Sequence, residues 1–207
     1  MVNDDNQIFQ NIHIEILVEE PTMEQFLNVI LPKILPEGYQ LNNNLFIRPH
    51  QGKSDLQQSL RTKMKAYKNW HKPIRLIIIQ DQDSNDCKQL KNNLISIVRQ
   101  ADPKIPVLVR IACRELENWY LGDLLAVENA YPKSKAGQLQ SKSKYREPDR
   151  LEGASEMKLI CQDFSKSYAA REISKYMSLD DNRSASFKHL ITGIKRFLTL
   201  SDFSNSA

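Results

Sequence analysis

Residues 74–79 read IRLIII and run straight into Gln80-Asp81-Gln82-Asp83. A short, nearly continuous apolar run rich in branched residues is a strand buried on both faces, and strands of that kind belong to parallel sheets sandwiched between helices. The rest of the chain agrees with this constraint. Residues 12–18 (IHIEILV), Leu45–Arg48 and 106–111 (PVLVRI) read as three further strands. Between them lie segments of helical period. Thr22 is placed to cap a helix carrying Phe26, Leu27, Ile30 and Leu31 inward, limited by Pro32 and Pro36. After a turn at Gln51-Gly52-Lys53, Ser54 or Asp55 caps a helix with Leu56, Leu60, Met64 and Tyr67 on one face. Asp86 precedes a third, with Leu90, Leu94, Ile97 and Val98, and a fourth carries Leu116, Trp119, Tyr120 and Leu124.

Strand followed by helix, repeated, predicts an α/β domain over residues 1–131: a mainly parallel sheet of about four strands flanked by helices. Residues 132–150 are polar, lysine-rich and aperiodic, and read as a mobile loop. Residues 151–207 read as a small C-terminal helical appendage, clearest over 185–199, where Phe187, Leu190, Ile191, Ile194, Phe197 and Leu198 share a face.

Three cysteines, Cys87, Cys113 and Cys161, match no zinc spacing and form no even disulfide set, so reduced thiols in the cytoplasm are expected. The first ten residues are polar and acidic, unlike a leader, and no apolar run approaches the ~20 residues a membrane span needs. A membrane is therefore not an expected partner. Lys+Arg number 29 against 25 Asp+Glu, an excess of +4 that does not by itself select nucleic acid. Segregation of charge is the more informative property.

Ligands of open parallel sheets bind at the carboxyl ends of the strands. Acidic residues follow three of the four expected strands there: Glu19 and Glu20, then Asp81 and Asp83, then Glu115 and Glu117. On a continued strand, residues two apart point the same way, so Asp81 and Asp83 can face one ion. Gathered carboxylates repel, and a cation relieves the conflict. All-oxygen donors suit Mg2+ or Mn2+, which complete their shells with water and phosphate oxygens, so a phosphoester is the expected substrate. Single acids such as Asp55 and Asp86 are better read as helix caps.

Positive charge collects in Lys53, Arg61, Lys63, Lys65, Lys68, Lys72 and Arg75, with Asp55 the one acid among them and Tyr67 and Trp70 interleaved. Arg61, Lys65 and Lys68 share a helical stripe able to follow a phosphate backbone, although a solvated helix face has the same pattern. Lys53, directly after Gly52 at a helix start, is the candidate for contacting a scissile phosphate. His50 is a possible general base with an equally simple structural reading, and His13 and His189 read as structural. No histidine is placed to activate Cys87 or Cys113.

The stretches LVEEPTME (17–24), QGKSDL (51–56), DQDSNDC (81–87), ELENWY (115–120) and NRSASF (182–187) resemble the bacterial family catalogued as domain of unknown function 4276, over nearly the whole chain. That family in turn is similar to the Toprim group, the Rossmann-like metal-binding fold of topoisomerases, primases and overcoming-lysogenisation-defect nucleases. The resemblance implies Glu19 as acid/base or metal ligand and Asp81 and Asp83 as metal ligands. It also implies a role in defence against phage beside a partner ATPase. Glu20 stands where Toprim proteins usually have glycine, and Met23 stands where nuclease relatives often carry a second acid, a role Glu20 or Glu24 could take. These departures bear on two-metal catalysis rather than on metal binding.

The expected function is a Mg2+- or Mn2+-dependent nuclease. The catalytic set is Glu19, Asp81, Asp83 and Lys53, and the metal set is Glu19, Glu20, Asp81, Asp83, Glu115 and Glu117. Lys53, Arg61, Lys65 and Lys68 form the nucleic-acid contact. The alternative is a non-catalytic subunit that binds nucleic acid or a partner ATPase around a structural ion. Aspartyl-phosphate phosphatase chemistry would want Asp-x-Asp after the first strand, and a receiver domain would want a downstream lysine beside its acceptor aspartate.

Overall fold

The computed structural model describes residues 12–199. The acidic first ten residues and the end of the C-terminal segment, 200–207, lie outside that range. Four strands, β1 (His13–Val18), β2 (Leu45–Pro49), β3 (Ile74–Asp81) and β4 (Val107–Ala112), form one all-parallel sheet in the order β2-β1-β3-β4. This is the α/β sheet expected, and it is consistent with a Rossmann- or Toprim-like arrangement. The chain winds outward from β1 to β2, then crosses back to β3 and on to β4. The direction of winding therefore reverses between β1 and β3, which opens a crevice beyond their carboxyl ends. Register brings those ends together, with Val18 opposite Ile79.

Side chains alternate across the sheet and build two cores. On one face Leu17, Leu76, Ile78 and Val109 pack under helices α2 (Lys53–Tyr67) and α3 (Cys87–Ala101), which supply Leu56, Leu60, Met64, Leu94 and Val98. On the other face Ile14, Ile16, Val18, Ile77 and Ile79 pack with α1 (Pro21–Ile30), α4 (Glu117–Leu121), α5 (Leu124–Ala130), α6 (Gly153–Ile160), α7 (Lys166–Tyr176) and α8 (Ala185–Thr199). Residues 153–198 thus share one core with β1 and β3 rather than packing only on themselves. The segment read as a loop, 132–150, carries four 3-10 turns and buries Ala136, Tyr145 and Pro148. Turns of three or four residues are too short to show an amphipathic period, so the sequence pattern could not reveal them.

Helix starts differ from expectation at two places that matter for the site. Pro21, not Thr22, opens α1, with Glu20 as its cap residue, and the Thr22 hydroxyl donates to the Glu20 carboxylate at 3.3 Å. Proline suits the first helical turn because its missing N–H has no partner there. Gly52, not Ser54 or Asp55, caps α2. It takes φ +99°, and its N–H donates to the Glu19 carbonyl at 2.9 Å, tying the start of α2 to the end of β1. Asp55 instead accepts from the Gln51 N–H. Asp86 caps α3 as expected, accepting from Gln89 N–H at 2.8 Å. The expected fourth helix divides at Gly122-Asp123 into α4 and α5, because the Asp123 side chain caps a new helix at Ala126 N–H.

Two charged side chains lie buried in the strands near their amino ends, Arg75 of β3, which donates to the Phe197 carbonyl, and Glu15 of β1. Glu15 in β1 is 5% exposed, accepts from Lys63 Nζ at 2.8 Å and from the Tyr67 hydroxyl, and meets Arg48 at 3.5 Å. Burial pushes its carboxyl up, but the bonds from Lys63 and Tyr67 and the Lys63 charge outweigh that and hold it at about 2. A depressed folded pKa stabilises the fold above the unfolded value, near 4.5, and the contribution disappears as pH falls towards 2. Urea unfolding should show Glu15→Gln costing up to about 3 kcal/mol at neutral pH, with the difference from wild type shrinking below pH ~4.5.

Candidate metal centre

The crevice between β1 and β3 is lined by acids. Glu19 follows the last residue of β1 and is 9% exposed. Its Oε2 accepts the backbone N–H of Asp81 at 3.2 Å. That bond fixes the Glu19 side chain against the Asp81 backbone, 62 positions away in sequence, at one rim of the sheet. Asp81 closes β3 on the same face as Ile77 and Ile79. Its Oδ1 is buried and makes no hydrogen bond. Glu117 starts α4, is 2% exposed, and also has one buried oxygen, Oε2, without a partner. The buried Tyr120 hydroxyl, one turn on, is likewise unbonded.

The electrostatics follow from this crowding. Asp81 is held well above the carboxylate range, first by burial and then by the charges of Glu117, Glu19 and Glu20. Glu117 is raised by burial in spite of Lys166, whose Nζ lies 3.3 Å from Oε1. Glu19 is pushed up to about 7: burial and the charges of Asp83 and Glu20 raise it, against Lys53 and the Asp81 N–H. Tyr120 is raised by burial and by Glu117 and Asp81.

The two aspartates of Asp-x-Asp do not continue the strand alternation. Asp83 lies beyond β3 at φ +50°, and its N–H donates to the carbonyl of Arg114, itself at φ +63°. Left-handed backbone at two non-glycine residues is sparsely populated and tends to cluster at functional sites. The bend turns Asp83 towards Lys53, with which it forms an ion pair at the start of α2. Glu19 sits between the two groups, feeling both the Lys53–Asp83 pair and the backbone of Asp81.

The other expected ligands are placed as follows. Glu20 caps α1 and acts on Asp81 through its charge. Glu115 accepts the Ala154 N–H at the start of α6, at 3.3 Å, and contributes charge to Glu117 and Lys166. Arg61, Lys65 and Lys68 line a groove of about 700 Å3 between α2 and α3. Lys63 leaves that stripe for Glu15, and Arg75 binds the Phe197 carbonyl. His50 is buried, with Nδ1 2.9 Å from the Val18 carbonyl, a structural position. Burial lifts the Cys113 thiol to about 11, which leaves it unreactive near neutrality.

Sequence reading missed Lys166 and Tyr120. Lys166 begins α7, which packs against α1 and is pinned by Lys33 Nζ donating to the carbonyls of Ser174 and Lys175. Its pKa reflects burial opposed by Glu117, Glu20 and Glu115, with the acids prevailing and the value raised. Nothing local to residue 166 signals that position. Tyr120 reads in sequence as one more apolar contact of a helix.

Among the described residues, no three His, Cys, Asp or Glu side chains stand ready to enclose an ion. Two unbonded carboxylate oxygens, on Asp81 and Glu117, are nevertheless the hard donors a magnesium ion takes, and such an ion normally uses one or two carboxylates and fills the rest with water. The donor set therefore fits Mg2+ or Mn2+.

The all-parallel four-stranded sheet flanked by helices places the chain in the α/β class. Within that class the chain belongs to the family described as domain of unknown function (DUF4276), whose model matches residues 18–195. No curated protein and no solved structure matches it. Among the described residues no helix is long and apolar enough to cross a membrane.

Two measurements bear on this geometry. In metal-free protein, a carboxyl titration followed by NMR should show Glu19 protonating near pH 7. Lys53→Gln should raise that midpoint and Asp83→Asn should lower it, from the signs of their charges. Asp81, with a raised folded pKa, makes the metal-free protein less stable as pH rises above the unfolded carboxylate value near 4. Asp81→Asn should therefore raise the metal-free melting temperature at pH 8. Were Mg2+ held there, Asp81→Asn should also abolish the stabilisation it brings, which at 100 times Kd would be ~2.7 kcal/mol, or roughly 5–10 °C.

Proposed function

We propose that this protein is a Mg2+- or Mn2+-dependent nuclease that cleaves phosphodiester bonds in DNA or RNA. One observation carries the reading: Glu19 and Asp81 meet at the β1–β3 crevice, with unpartnered oxygens on Asp81 and Glu117 beside them and Lys53 at the rim.

Asp81 and Glu117 would hold the ion through their free oxygens, with Glu19 and Glu20 adding charge to the same crevice. When bound, a divalent ion there supplies positive charge for the phosphoryl oxygens and lowers the pKa of coordinated water. Lys53 is half-buried at the N-terminus of α2 and, among the described residues, is tethered by Asp83 and the Gln82 carbonyl. Exchange of Asp83 for a phosphate oxygen would orient a substrate on the helix start. Glu19, titrating near 7, is suited to take a proton from an attacking water at neutral pH. Lys166 faces Glu117 from the opposite side and limits the net negative charge of the cluster. Arg61, Lys65 and Lys68, on the helix that begins with Lys53, would carry the polyanion away from the crevice. A cytoplasmic role in defence against phage beside an ATPase partner is part of the same proposal and follows from the Toprim resemblance.

Replacing both Asp81 and Asp83 with alanine should reduce Mg2+- or Mn2+-dependent cleavage of DNA and RNA at least ~100-fold, with unchanged far-UV circular dichroism. A double variant that cuts as well as wild type would sink the proposal. A second reading, a non-catalytic subunit that binds nucleic acid or an ATPase partner around a structural ion, draws on Asp83 being engaged by Lys53 and on Met23 in place of a second acid. Electrophoretic retardation without cleavage, across several divalent metals, would select it.

A further inference from the structure

The far end of α2 has its own constellation, remote from the acids. Helix α2 is 15 residues long, so about 22 Å of helix separates Lys53 from Tyr67. Beyond Tyr67 the chain turns through Trp70 and His71 into β3. Four rings lie in sequence across this end of the sheet. Phe46 of β2 stacks on His13 of β1 at 4.9 Å between centroids. His13 meets Trp70 at 5.6 Å, and Trp70 lies nearly parallel to His71 at 6.1 Å. Tyr67 braces Trp70 edge-on at 6.0 Å.

These rings are not a closed core. Trp70 is 43% exposed, His71 is exposed, and Phe46 and His13 are half-buried. β2 is the edge strand; α1 packs on its face that buries Leu45 and Ile47, and Phe46 and Arg48 alternate to the other face, where Phe46 is half-buried and Arg48 exposed. The surroundings are cationic. Arg48 lies 5.1 Å over the Phe46 ring with its side chain 45% exposed, Lys63 is close by, and Lys68 and Lys72 are exposed on either side of Trp70 in the chain. Among the described residues the one acid in the group is Glu15, which is buried beneath the rings, bonded to Lys63 and Tyr67, and shared with His13 at 3.3 Å and Arg48 at 3.5 Å.

We propose that this open aromatic and cationic face, formed by Trp70, Phe46, His13 and Arg48, is a stacking surface for single-stranded nucleic acid. Exposed π faces accept unstacked bases of any sequence, and the flanking cations follow the phosphates. The charge excess argues for a polyanion over an apolar protein partner. The need for free base faces argues for a single strand over a duplex, whose bases are stacked on one another. The site lies outside the acidic crevice and does not depend on cleavage there.

The experiment uses the full chain in EDTA, so that no metal-dependent cleavage intervenes, with a 15-nucleotide oligo(dT), a duplex of the same length and heparin as probes. The chain has two tryptophans, and Trp119 is fully buried, so changes in emission report on Trp70. Oligo(dT) should quench tryptophan emission, with affinity that falls as salt rises, and the duplex should bind more weakly. By fluorescence anisotropy, Trp70→Leu should weaken oligo(dT) binding about 5-fold or more, while Trp70→Phe, which keeps a ring, should stay within about 3-fold of wild type. Absence of quenching, equal quenching by heparin, or full affinity in Trp70→Leu would overturn the proposal. Concentration-dependent self-association that buries Trp70 while oligo(dT) leaves it unquenched would also overturn it and assign the face to a second copy of the chain. Oligo(dT) that binds and then survives intact in Mg2+ would leave this surface standing and count against the nuclease reading, so the two can fail separately.

Discussion

The meeting of Glu19 and Asp81 in the β1–β3 crevice rests on one hydrogen bond, from the Asp81 backbone N–H to the Glu19 carboxylate. Parallel pairing carries the two strands to the same rim, and that bond converts their shared register into contact between distant acidic residues. The arrangement is electrostatically unfavourable by itself. Buried carboxylates lose hydration and repel one another, and the raised positions of Glu19, Asp81 and Glu117 record that cost. Lys53 reaches in from the α2 side and Lys166 from the α7 side, yet oxygens on Asp81 and Glu117 still lack a partner. That remaining cost is what the proposed cation would offset.

The two faces of the sheet contribute differently. The α2–α3 face supplies a helix N-terminus, a left-handed turn at Asp83 and a lysine. The opposite face supplies Glu117, Tyr120 and Lys166 from helices that share its apolar core. The C-terminal helices are therefore part of the site's construction, because α7 packs on α1 and brings Lys166 over Glu117. By contrast, Glu15 is a buried acid whose partners are all supplied by the fold. The fold surrounds the carboxylate with Lys63, Tyr67, Arg48 and His13 and drives its pKa down. The opposite shifts of Glu15 and Asp81 separate a closed ionic network from an open one.

Much of the sheet was legible. The β3 run was legible because burial on both faces leaves a continuous signature, β1 through its alternating branched residues, and β2 and β4, only partly buried, as short apolar runs between turns. Helix 185–199 was legible for a related reason, a clean apolar stripe. Short elements were not, since the 3-10 turns of 136–150 and the break at Gly122-Asp123 are too brief to have a period. Cap assignments slipped by two or three residues where backbone geometry, at Pro21 and Gly52, prevailed over side-chain capping preference.

By itself, the sequence determined that acids stand at the ends of parallel strands, because strand ends and residue types are local facts. Tertiary structure decided which of them meet. It joined Glu19 to Asp81, drew Glu117 in beside them, bent Asp83 away to Lys53 and set Lys166 opposite. It also split the basic run, leaving Arg61, Lys65 and Lys68 on a groove while committing Lys63 to Glu15. The reason is that side-chain direction beyond a strand end depends on backbone torsions and on packing between helices far apart in the chain, and neither leaves a periodic mark in the residues.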